Sequence, residues 1–159
     1  MSLLDKEPVK RAENFLKNFD QSLEVIILEN SARTAQDAAK ALDCDVGAIV
    51  KSLLFKTDDK FILCLVAGDK RCSLTKLKKI EGIKDVSMAS PEEVKAQTGY
   101  TIGGVSPVGH LKEIEIIIDN SLERFNELFA AAGHPNCVFK INYNDIQKIT
   151  NGKAEDIIE

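Results

Sequence analysis

The sequence predicts an α/β chain of α+β character: a single compact domain, residues 1–159, with a mixed, mostly antiparallel sheet and helices packed around it. Three observations predict it. Strand-sized apolar runs alternate with amphipathic runs of helical period, which calls for helices laid on a sheet. At several places one strand follows another directly, which calls for antiparallel neighbours. No repeat, linker or compositional break divides the 159 residues, which suit one ordinary domain.

The elements follow in chain order. Residues 1–7 read as a tail. Val9, Ala12, Phe15, Leu16 and Phe19 recur at helical spacing, and Pro8 stands near the start, so Pro8 to Phe19 is an amphipathic helix. LEVIIL, Leu23 to Leu28, is a strand. In SARTAQDAAKAL, Thr34 caps a helix with Asp37 at its third position, and Ala35, Ala38, Ala39 and Leu42 form a face small enough to lie close to its neighbour. Asp45 caps a short helical turn through Val46, Ile49 and Val50. Lys51 follows it, and SLLFK opens a strand. A KTDDK hairpin leads to FILCLVA, apolar on both faces and therefore central. Ser73 starts the LTKLKKI helix, and DVSMA is a short strand. SPEEVKAQTG is a helix with Ser90 as cap, Pro91 first, Glu93 closing a capping box and Gly99 as terminator. KEIEIIID and CVFKIN are strands. NSLERFNELFAAAG between them fits a helix through Leu122, Phe125 and Phe129, or a strand at NELFAAA. NDIQKIT is a last helix stopped by Asn151–Gly152, with 153–159 as an acidic tail.

Composition narrows the function. Apolar residues make up 44% and charged residues 29%, a globular balance with no run long enough to span a membrane. The N-terminus lacks a signal architecture, so a cytoplasmic location is expected. Cys44, Cys64, Cys72 and Cys137 show no metal spacing, and neither a metal nor a cofactor is expected. They read as reduced structural cysteines, with Cys72 or Cys137 open as a nucleophile. A net charge of −4 does not advertise a broad phosphate-binding surface. Lys70, Arg71, Lys76, Lys78 and Lys79 nevertheless form a local basic stretch, either a solvated helix face or a grip on the end of a nucleic acid.

The segment TGYTIGGVSPVGH, Thr98 to His110, holds four glycines and one proline in thirteen residues, yet Tyr100, Ile102, Val105 and Val108 anchor it. Gly103 and Gly104 leave the backbone unobstructed, and Pro107 fixes one dihedral. Such a loop is a tight structural turn, or it aims backbone N–H and C=O groups at a small ligand. Lys51 either snorkels to solvent or stands as a point cation at a pocket mouth. His110 and His134 each follow a glycine and are open as base, donor or ordinary loop residue. Ser106 sits in no nucleophile-elbow pattern.

TAQDAAKAL…IVKSLLF followed by TGYTIGGVSPVGH, with LCLVAGDKR, IEIIID and AAGHPNCVF in order, resembles the YbaK and prolyl-tRNA-synthetase-associated editing-domain family from about Leu23 to Ile158. The resemblance implies that fold and a deacylase that hydrolyses the ester of mischarged aminoacyl-tRNA, often tRNA for proline carrying a small noncognate amino acid. It implies that Lys51 anchors the terminal adenosine or its phosphate. It further implies that the loop from Gly103 to Pro107 lines the aminoacyl pocket and orients the ester, with Gly103 and Pro107 beside Lys51 as the catalytic set. Thr34, Ile102, Gly104, Val105, Ser106 and His134 are expected to contact substrate. The partner is the acceptor end of aminoacyl-tRNA; docking to prolyl-tRNA synthetase and the oligomeric state stay open. A non-catalytic module binding a nucleotide, a tRNA end or a protein is the competing reading, since the same loop and cation would serve it.

Overall fold

The computed structural model describes residues 2–29 and 34–159; Met1 and the first residues of the SARTAQ segment lie outside them. Five helices are described: α1 Glu7–Phe19, α2 Ala35–Leu42, α3 Leu74–Glu81, α4 Pro91–Thr98 and α5 Tyr143–Thr150. The strands are β1 Ile26–Ile27, β2 Ile49–Lys56, β3 Phe61–Ala67, β4 Ser87–Met88, β5 Glu115–Asp119, β6 Leu128–His134, β7 Cys137–Ile141 and β8 Lys153–Glu155. They form one mixed sheet in the order β1-β7-β6-β2-β3-β5-β8, with β4 pairing to β2 beside β6. The β1–β7, β2–β3, β2–β4 and β6–β7 pairs are antiparallel, and β2–β6, β3–β5 and β5–β8 are parallel.

Strand alternation divides the core between two faces. Leu63, Leu65 and Ala67 of β3 join Val50 and Leu54 of β2 against Val9, Ala12 and Leu16 of α1 and Ile146 of α5. Ile62, Cys64 and Val66 point the other way and meet Leu77 of α3, Phe55 and Ile117. β3 is therefore central and apolar on both sides, as FILCLVA predicted. On that second face Ala38 and Ala39 of α2 pack on Ile49, Phe129 and Val138, so the alanine face brings the helix close to the sheet. Local caps set the helix starts. Thr34 Oγ1 accepts from the Asp37 N–H at 3.1 Å. Ser90 and Glu93 exchange bonds of 3.1 and 2.9 Å in a full capping box.

Several expectations are corrected. The last residues are no tail: β8 pairs with β5, Ile157 is fully buried, and its carbonyl accepts from the Ser73 N–H at 2.6 Å. The pairing partner lies far back in the chain, and an acidic, short segment shows no local signal for it. Residues 3–5 form a turn of 3₁₀ helix, with Leu3 and Leu4 packed on the core. The first strand shrinks to Ile26–Ile27 because only those residues pair with β7. Asp45 precedes a 3₁₀ turn, Val46–Ala48, but makes no side-chain cap bond. Lys51 lies inside β2 rather than before it. The ambiguous segment resolves into a 3₁₀ stretch at Asn120–Arg124 and strand β6, whose partners on both sides favour extended backbone over the helical alternative.

Candidate functional site

The site forms where the β2 ladder is interrupted. Pairing with β6 ends at Val50↔Ala130, and pairing with β4 begins at Phe55↔Met88. Between them a cavity of about 310 Å³ opens, lined from α2 by Thr34, Ala35 and Ala38, from β2 by Ile49 to Leu53, and from the glycine-rich loop by Ile102, Gly103 and Val105. Ala131, Pro135 and Val138 close it from β6 and β7. Its walls are chiefly small or aliphatic. Lys51, Ser52 and Thr34 supply the polar side chains.

Lys51 is half-buried, and its Nζ donates to the Lys70 carbonyl at 2.5 Å. Burial pushes the ammonium below the usual lysine range; Asp69 opposes that shift, Arg71 adds to it, and Cys72 and Asp119 oppose it. Asp69 is itself held by the Arg124 guanidinium through bonds of 2.8 and 3.0 Å, so its charge is largely matched elsewhere. The C-terminal segment buttresses this corner: Glu159 N–H donates to the Arg71 carbonyl at 3.0 Å, and Ile158 bridges Cys72. The segment read as a tail thus steadies the loop whose carbonyl fixes Lys51.

The loop tip is set by backbone shape. Gly103 has φ +92°, where a side chain is strained. A Cβ on Gly104 would stand 2.9 Å from the backbone of His134, and the Gly104 carbonyl accepts from the Gly133 N–H at 3.0 Å. Gly104 is therefore a close-approach residue that seats the tip on β6. Behind the tip the loop is locked to the core. Tyr100 is fully buried and donates to the Val108 carbonyl at 2.8 Å. Arg11 of α1 donates to the Gly109 carbonyl at 2.7 Å and lies 4.6 Å from the Tyr100 ring centroid. Burial raises the Tyr100 phenol to about 12, against the lowering by Arg11.

The structure brings Lys51, Thr34, Ile102, Gly103 and Val105 to one cavity, and it does not bring the rest. Pro107 lies on the other side of the loop, in a separate hollow with Phe15, His110 and Ile149. Ser106 is fully buried, and its Oγ accepts from the Val108 N–H at 3.3 Å. His110 holds the Ser106 carbonyl at 2.7 Å; a carbonyl only accepts, so Nε2 carries the proton. Burial holds His110 below its ordinary range despite that bond, with Arg11 adding to the shift. His134 accepts the Asn136 N–H at Nδ1, 3.0 Å, and burial followed by Lys6 lowers it. Of the two thiols left open, Cys137 is fully buried and Cys72 packs with Cys64. Among the described residues no group of His, Cys, Asp or Glu is placed to hold a metal, and no helix is long and apolar enough to cross a membrane.

Sequence reasoning missed Ser52, Ala131, Pro135 and Val138. The first carries a signal visible only in three dimensions: its hydroxyl is buried and has no hydrogen-bond partner among the described residues.

Comparison with known proteins finds relatives along most of the chain. The profile of the aminoacyl-tRNA editing domain matches residues 29–149. An uncharacterized protein of Bacillus subtilis, YwhH, is 32% identical over 147 residues, covering 92% of this chain and 93% of that one. The proline–tRNA ligase of Thermosipho africanus is 33% identical over 125 residues, and this chain spans 22% of its length. A solved structure of a candidate trans-editing enzyme for prolyl tRNA synthetase superposes with a TM-score of 0.92 at 35% identity, covering 97% of this chain and 98% of that one.

Proposed function

Because the chain belongs to the aminoacyl-tRNA editing domain family, we propose that it is a deacylase acting in trans on mischarged tRNA, in the first place tRNA for proline carrying a small noncognate amino acid. The observation that carries this reading is the convergence of Lys51 and Gly103 on one cavity with walls of alanine, valine and isoleucine.

An aminoacyl ester is already activated, so its hydrolysis needs positioning more than a strong nucleophile. Lys51, tethered at Lys70, holds the terminal adenosine or its phosphate as a fixed cation. The tip at Ile102–Gly103 holds the acyl end against α2. A water adds to the acyl carbon, assisted by the neighbouring ribose hydroxyl. The ester C–O bond breaks, and the amino acid leaves as a carboxylate while the ribose recovers its hydroxyl. His110 takes no part, since it lies behind the loop, and the Nδ1 of His134 is occupied by its own turn. The basic stretch after β3 and the adjoining cavity suit the acceptor end of a tRNA rather than its whole length. Small acyl groups are selected because larger ones meet Ala35, Ala38 and Ala131, and a clash with packed backbone excludes more firmly than a missing methylene rewards.

The test is the deacylation rate of alanyl-tRNA for proline with Lys51→Ala. Loss of roughly 100-fold or more, the scale of removing one preorganised charge, with an unchanged melting temperature is expected. An unchanged rate overturns the role of Lys51. Tight binding of charged tRNA by the wild-type protein without turnover overturns the hydrolase reading in favour of a binding module.

A further inference from the structure

The interruption of the β2 ladder leaves an open main-chain edge between Val50 and Leu54. Residues along a strand present their N–H and C=O alternately to the two neighbours. The Ile49 carbonyl accepts from Gly68 on the β3 side at 2.7 Å, whereas the Leu54 carbonyl accepts from Ala89 on the opposite side at 2.9 Å. Ser52 shares its parity with Leu54, so its N–H and C=O point away from β3, into the gap between β6 and β4. No strand among the described residues pairs with β2 there: the β6 register stops at Val50 and the β4 register starts at Phe55. Ser52 lines the cavity and is only half-buried, so this edge is reachable. Backbone groups in so apolar a surrounding are ordinarily paired.

An α-aminoacyl ester is chemically one residue of a strand: an N–H donor and a carbonyl acceptor on either side of a single Cα. The hydrogen-bonded pair of an antiparallel ladder asks for that set, since each residue gives one N–H and takes one. Lys51 cannot compete for the amino group. Its Nζ is itself a cation and already donates to the Lys70 carbonyl, so a protonated amine is repelled from that corner and finds its acceptor at the open edge. Resting on the deacylase reading, we propose that Ser52 pairs with the aminoacyl end through the main chain. Its carbonyl accepts from the α-amino group, and its N–H donates to the ester carbonyl. The cavity thereby recognises an α-amino acid as such, independent of its side chain, by pairing one residue alongside β2. The N–H on the ester oxygen also favours the charge that develops there when water adds.

The experiment is amide-resolved hydrogen exchange by NMR on the full chain, with 3′-alanylamino-3′-deoxyadenosine, whose amide link resists hydrolysis, and its 3′-propionylamino counterpart lacking the α-amino group. The alanyl compound is expected to slow exchange at the Ser52 amide about tenfold, the worth of one net hydrogen bond. The Leu53 amide, directed at β3, is expected to stay as it was. The propionyl compound is expected to bind about tenfold more weakly. Resonances of Ile102 and Gly103 that move while Ser52 exchange does not, or equal affinity for the two compounds, would overturn the pairing and leave the deacylase reading standing. No shift at Lys51, Ile102 or Gly103 with either compound would overturn both.

Discussion

The two halves of the glycine-rich segment differ in what surrounds them. Ile102 at the tip is 60% exposed and faces the cavity with Gly103, whereas Ser106 four residues on is fully buried, and Val108 and Gly109 are held by Tyr100 and Arg11. The front half is shaped by glycine conformation and close approach. The rear half is shaped by hydrogen bonds to α1 and to its own ring residues. One run of sequence therefore makes an exposed tip and the clamp that holds it, and substitutions along it are expected to differ in how activity and stability fall.

The largest effect is expected at the hinge between them. Gly104→Val places side-chain atoms into the His134 backbone, where even a Cβ would stand at 2.9 Å. Overpacking of this kind costs about 1–3 kcal/mol, and the displaced tip takes Gly103 away from Lys51. Loss of measurable deacylation together with a lowered melting temperature is the outcome to look for; full activity would mean the tip position is irrelevant. Next comes Arg11→Ala, which removes the bond to Gly109, a second to the Thr98 carbonyl at 3.2 Å and the contact over Tyr100. A loss of about 1.5–3 kcal/mol in denaturant unfolding follows from deleting charged hydrogen bonds. A rise in KM exceeding any fall in kcat would mark loosening of the clamp rather than damage to the chemistry.

A smaller effect concerns pH. His110 titrates below its ordinary value of 6.5 in the folded protein, because burial disfavours the charged ring. Its contribution to stability is complete above the unfolded value and is lost as pH falls through the folded one, since the unfolded chain then binds the extra proton. His134 is shifted the same way. His110→Gln should therefore flatten, without abolishing, the decline of melting temperature as pH falls from about 7 to 5. The smallest change is expected for Ser106→Ala. It deletes a long bond to the Val108 N–H, worth about 1 kcal/mol, together with a contact to the Tyr100 hydroxyl, and kcat should stay as it was. A large fall in kcat would return Ser106 to the substrate.

Features carried by short-range chemistry were legible in the sequence. The Thr34 and Ser90 caps, the double-sided apolar run of β3 and the closeness of the alanine face of α2 all follow from residues within a turn or two of each other. Of the expected catalytic set, Lys51 and Gly103 line one cavity together with Ile102 and Pro107 does not, because that meeting is a matter of sheet order. What a loop residue faces was not legible. Ser106 and Pro107 sit within the motif, but Tyr100, His110 and α1 draw them inward, and those partners come from distant segments. The same holds for β8, whose partner β5 is a parallel neighbour, and for Ser52, which becomes a binding edge only because two ladders stop short of it.

The deacylase reading is decided by deacylation of tRNA for proline charged separately with alanine, serine, cysteine, threonine, proline and leucine by the wild-type protein. A cavity walled by Ala35, Ala38 and Ala131 beside Lys51 predicts fast release of one or more of the smallest residues and none of leucine above buffer hydrolysis. Equal rates across the panel, or no release of any, would contradict it.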